Sequence, residues 1–219
     1  MKKVLTIVGL FIGINATAQI STNSTNNNSG EASQSAIGLQ TTASGVASTA
    51  MGRETLASGD YSTAMGHQTT ASGESSTAMG RSTSATELYA TAMGHQTTAS
   101  GNTSTATGYQ TTASGSASTA MGKETTAGGD NSIAMGYLTS ASGGSSIAMG
   151  RSTSASELYA TAMGHETSAS GNSSTATGYQ TTASGSASTV MGKGTIASDY
   201  GSLVIGTYNL SGSTVTVDG

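Results

Sequence analysis

Along most of the chain small apolar and polar residues alternate, and a glycine resets the alternation about every seven positions. One glycine column runs from Gly38 through Gly52 and Gly66 to Gly206 at a spacing of 14 residues without a slip, which makes twelve full repeats. A second column lies midway, from Gly45 and Gly59 to Gly185, interrupted only by Glu87, Glu157 and Asp199. A period of two is the signature of a strand. In Ser62-Thr63-Ala64-Met65-Gly66, Ser and Ala share one face while Thr and Met share the other. In the half that follows, Thr69 and Ala71 face one way, and Gln68, Thr70 and Ser72 face the other. The pattern predicts two short strands per 14-residue coil, joined by two tight turns where glycine would supply positive φ.

Thr fills the Thr69 column and Ala the Ala71 column in twelve of thirteen repeats, so these small residues are assigned to the inside of a flattened coil. Parallel coils about 4.8 Å apart would form a roll roughly 58 Å long. The expected fold is all-β, a parallel β-roll or solenoid. A longer period overlies the first: Arg81 to Gly150 repeats from Arg151 at an offset of 70 residues, or five coils.

A core of Ala, Ser, Thr and Gly buries little apolar area, so a single roll is expected to be marginal. The larger apolar side chains lie on the outward face instead. Met51, Met65, Met79, Met93, Met121, Met135, Met149, Met163 and Met191 form one column that ends at Ile205, with Thr107 and Thr177 as its polar members. Ile133, Ile147 and Leu203 join it two residues upstream. An apolar stripe on a polar rod marks an interface, and self-association through this face is the expectation.

Composition agrees. Beyond Ala18 only 18 of 201 residues are Leu, Ile, Val or Phe, too few for an ordinary globular core. There is no Cys to staple the chain, and no Gly-Gly-x-Gly-x-Asp nonapeptide to bind calcium. At the N-terminus Lys2 and Lys3 precede an apolar run from Val4 to Ile14 and a small-residue site, Ala16-Thr17-Ala18. Residues 1–18 are read as a secretory signal peptide, so an exported, extracellular or surface protein is expected. Residues 19–35 are read as a flexible Asn/Ser/Thr-rich lead-in, and 36–206 as the repeats. Residues 207–219 are read as a C-terminal β cap or the start of a downstream region. No transmembrane segment is expected in the mature chain.

The net charge of −4 and the lack of aromatic–basic clusters argue against nucleic acid as a partner. Every base of the mature chain and every His falls directly after the repeat glycine: Arg53, His67, Arg81, His95, Lys123, Arg151, His165 and Lys193. Most acids, from Asp60 and Glu74 to Asp199, lie on the opposite turn. Arg53, Arg81, Lys123, Arg151 and Lys193 are therefore candidates for an inter-protomer edge, or with Tyr109, Tyr137 and Tyr179 for a ligand stripe. No catalytic, cofactor or metal residue is assigned. Gly-x-Ser-x-Gly does not occur, His67, His95 and His165 are two or more coils apart, and Glu87 and Glu157 are duplicates in Glu-Leu-Tyr-Ala turns. An enzyme is not expected.

Ser132-Ile133-Ala134-Met135-Gly136, followed by Thr139-Ser140-Ala141-Ser142-Gly143, resembles the head repeat of trimeric autotransporter adhesins, the YadA-like parallel β-roll. The resemblance implies a homotrimer with the Ile/Met strand toward the axis. It also implies display on a bacterial surface and adhesion to matrix proteins or cell-surface ligands. Thr replaces the family's Ile or Val at Thr63, Thr77 and Thr91, so a more polar axis is expected. The family's neck, coiled-coil stalk and outer-membrane strand anchor have no counterpart up to Gly219. Two other readings stand beside this one. The first is an ice-binding solenoid, whose face would be the outward column Thr42, Leu56, Thr70, Ser84 to Ile196. The second is the stalk of a trimeric fibre that carries a domain further downstream.

Overall fold

The computed structural model describes residues 20–21 and 33–209. The assigned signal peptide, most of the lead-in and residues 210–219 lie outside the described residues. Thirteen five-residue strands, from Ser35–Leu39 to Leu203–Thr207, alternate with twelve two-residue strands, from Thr42–Ala43 to Ile196–Ala197. The long strands form one parallel sheet and the short strands another, each in coil order. Every pair keeps the 14-residue register, as in Ala64 beside Ala78 and Met65 beside Met79. One strand breaks the pattern. Ile20–Ser21, in the stretch read as lead-in, pairs antiparallel with Ile37 and Ala36 at the first coil.

The interior is as thin as the sequence requires. The Ala column of the long strand and that of the short strand are buried from Ala36 to Ala197, with Val190 the one larger member. The Thr column from Thr55 to Thr195 is buried beside them, as are Ser48, Ser62 and their successors. Most of these hydroxyls, Thr69 Oγ1 and Ser62 Oγ among them, have no hydrogen-bond partner among the described residues. Apolar burial is therefore modest, and the backbone ladder does most of the holding. Leu56 N–H donates to the Thr69 carbonyl at 2.8 Å, Thr63 N–H to that of Ser76 at 2.9 Å, and Ser75 N–H to that of Asp60 at 2.7 Å.

The expectation of positive φ at glycine holds for one column: Gly66 has φ 124°, and its counterparts from Gly38 to Gly206 lie at 124–131°. Positive φ also falls on non-glycine turn residues: Gln68 at 55° after the long strand, and Tyr61 at 58° before the next. The second glycine column, which lacks positive φ, serves close approach instead. A Cβ on Gly59 would stand 2.1 Å from the carbonyl oxygen of Gly73 in the next coil. Where Glu87 and Glu157 replace glycine, the adjoining bonds from Thr86 N to Ala99 O and from Ser156 N to Ala169 O lengthen to 3.1 Å. The neighbouring repeats hold 2.8–2.9 Å at that position.

Candidate functional site: an outward apolar strand and a charged edge

The long strand alternates Thr or Ile outward, Ala inward, Met outward, so the register lines up the Met residues. Met79 lies beside Met93, Met135 beside Met149, and Ile133 beside Ile147. Met51, Met121, Met135 and Met191 are 36–44% exposed, and Met65, Met79, Met93, Met149 and Met163 are partly buried by their neighbours along the strand. Thr107 interrupts the row between Met93 and Met121, and Thr177 does so between Met163 and Met191. Because Thr105 and Thr175 share those coils, the outward strand face there is polar across its width.

At the C-terminal end of the same strand, the residue after each glycine forms a second row. The register runs Arg53, His67, Arg81, His95, Tyr109, Lys123, Tyr137, Arg151, His165, Tyr179 and Lys193. Neighbours along it stack. Lys123 Nζ lies 5.6 Å from the Tyr109 ring centre and 5.2 Å from that of Tyr137. The Arg151 guanidinium is 5.8 Å from the Tyr137 ring. Lys193 Nζ is 5.6 Å from the ring of Tyr179 and 5.7 Å from that of Tyr208. The His95–Tyr109 ring centres are 5.1 Å apart, and the His165–Tyr179 centres 5.0 Å apart with nearly parallel planes. Contacts of this kind contribute about 0.5–1 kcal/mol each at exposed sites.

Three carboxylates on this edge went unread in the sequence. Arg53 Nε meets Glu54 Oε1 at 3.0 Å, Lys123 Nζ meets Glu124 Oε1 at 3.5 Å, and His165 Nε2 lies 3.8 Å from Glu166 Oε1. Glu54, Glu124 and Glu166 hold the left-handed turn position at φ 53–55°, which aims them back over the row. Their place one residue after the basic column was the available signal. Glu54 also accepts a bond from Gln68 Nε2 at 2.9 Å. That bond, with the nearby Arg53 and His67 charges, holds its carboxyl below the usual glutamate range against a weaker opposing effect of desolvation. Among the described residues Arg81, Arg151 and Lys193 have no carboxylate within 4.0 Å.

The opposite turn carries the acids the sequence placed there. Asp60 Oδ1 accepts from Val46 N–H at 2.8 Å and Asp130 Oδ1 from Ser116 N–H at 2.9 Å, so both also fasten the coil before them. Tyr61, Tyr89 and Tyr159 stand out from that turn, more than half exposed. On the second sheet the Thr42 to Ile196 column is in register, with Leu56 next to Thr70 and Ile196 next to Thr182. Among the described residues no cluster of three or more His, Asp or Glu could hold a metal ion, and no helix is long and apolar enough to cross a membrane.

The YadA head domain repeat matches in eight partly overlapping segments between residues 35 and 209. The chain belongs to this family. No curated protein gives a match to the chain. YadA head repeats are structural adhesin modules, and the chain is an adhesin-type β-roll of that class. The rows of Met and of cations are thus the two outward features of a YadA-type head strand, one along its middle and one along its end.

Proposed function

We propose that the chain is exported and forms the head of a trimeric surface adhesin. Three rolls pack Met strand to Met strand around an axis and present their remaining surface to matrix proteins or cell-surface ligands. The observation that carries this reading is the Met column, broken only at Thr107 and Thr177 between Met51 and Met191 and part exposed along its length, on a rod whose interior is filled by Ala, Ser and Thr. Side chains as large as Met gain most when a neighbour covers them, roughly 25 cal/mol for each Å² of apolar surface removed from water. The family supports the same arrangement. Export rests on the Met1–Ala18 signal pattern.

Sedimentation equilibrium of the chain from Gln19 onward tests the assembly. The expected mass is three times that of the protomer. A folded, β-rich monomer at micromolar concentration would overturn the proposal.

A further inference from the structure

The edge row has no role in filling the core and lies beside, not within, the Met column. From Arg53 to Lys193 it spans ten coils, roughly 48 Å at the inter-strand spacing. It presents one outward side chain per coil. A ligand that used the whole row would have to be extended and repetitive. The row is also ordered in advance, because Lys123 is propped between Tyr109 and Tyr137, and Arg151 rests on Tyr137. Charges fixed in a line lose less side-chain freedom on binding. They remain accessible: the Arg53 and Lys123 side chains are 61% and 54% exposed, and Tyr109 and Tyr179 about 40%.

We propose that this edge binds a linear anionic polysaccharide laid along the roll axis. Lys123 and Arg151 would take its sulfate or carboxylate groups, and Tyr109, Tyr137 and Tyr179 would border the sugar rings. The chemistry of the row supports an anion, because Arg81, Arg151 and Lys193 are unpaired by carboxylate among the described residues. It supports a polysaccharide over duplex nucleic acid on charge. Five permanent cations spread along roughly 48 Å are far sparser than duplex phosphate, which carries one charge per about 1.7 Å. The inference deepens the adhesin reading by naming a ligand class.

The test measures binding of the full mature protein to immobilised heparin, to hyaluronate and to duplex DNA at low salt. Sedimentation is recorded for every variant. Binding to heparin or hyaluronate that weakens with salt supports the proposal, and the two arms separate sulfate from carboxylate recognition. Lys123→Gln with Arg151→Gln should weaken that binding by about tenfold while the protein stays trimeric. Glu124→Gln, which frees Lys123, should strengthen it, a gain that misfolding cannot produce. Failure of the wild type to bind either polysaccharide, equal or tighter binding to DNA, or unchanged binding by both variants would overturn the proposal. So would dissociation of the trimer by the Lys123/Arg151 pair, which would make the row an inter-protomer contact. A monomer that binds heparin would overturn the trimer and leave this site standing.

Discussion

Gly122 lies directly against Gly136 of the next coil: a Cβ on Gly122 would stand 2.0 Å from the Gly136 carbonyl oxygen, and its φ is 125°. Neither neighbour can move, because each is held in the parallel ladder on both sides. Gly122→Ala should therefore destabilise the roll by about 3 kcal/mol or more. Gly128 is the control. It lacks positive φ, has its nearest contact at 3.8 Å, and occupies a position where other repeats carry Ser. Gly128→Ser should leave the thermal midpoint nearly unchanged. Circular dichroism melts of both variants check the pair.

The buried Thr column gives a prediction of opposite sign. Thr125 Oγ1 is buried with no hydrogen-bond partner, and its methyl already packs inside. Replacing an unpartnered hydroxyl by a methyl of similar size removes a desolvation cost of about 1–3 kcal/mol. Thr125→Val is expected to raise the denaturation midpoint. A lower midpoint would mean that the hydroxyl is partnered in solution.

In the trimer that we propose, Met135 and Met149 sit side by side on the axial strand. Met135→Asp with Met149→Asp would place unpaired charges in a buried layer, at several kcal/mol each in principle. The double variant should sediment as a smaller species than the wild type. Thr107→Met and Thr177→Met, which complete the apolar column, should instead raise the melting temperature of the assembly without changing its mass.

Glu54 offers a local pH readout. The Gln68 amide, then the Arg53 and His67 charges, favour its ionised form. Its folded pKa lies below the unfolded one, so any stability it contributes is present above the usual glutamate range and lost as pH falls through the folded value. Carboxyl carbon NMR titration should place Glu54 below the ordinary glutamate range. Gln68→Ala should raise the Glu54 midpoint.

Period, register and sidedness were legible in the sequence. An exact 14-residue repeat of alternating small residues leaves one way to bury Ala64 and Thr69 together, and that fixes Met65 outside. The role of the glycines was only partly legible. Both columns look like turn residues, and Gly66 does take positive φ at 124°, but Gly59 does not, and both are small because the next coil's carbonyl lies under them. Sequence distance cannot express that contact, since it arises only when coils stack. The edge row divides in the same way. Its composition was plain from the column after the repeat glycine, but only the fold placed Lys123 over the rings of Tyr109 and Tyr137, fourteen residues away on either side. The fold also turned Glu54, Glu124 and Glu166 back onto the row, because the backbone is left-handed at those three residues. A one-dimensional repeat thus determined which residues share a face. Tertiary stacking, which turns a separation of 14 residues into direct contact, decided which of them touch.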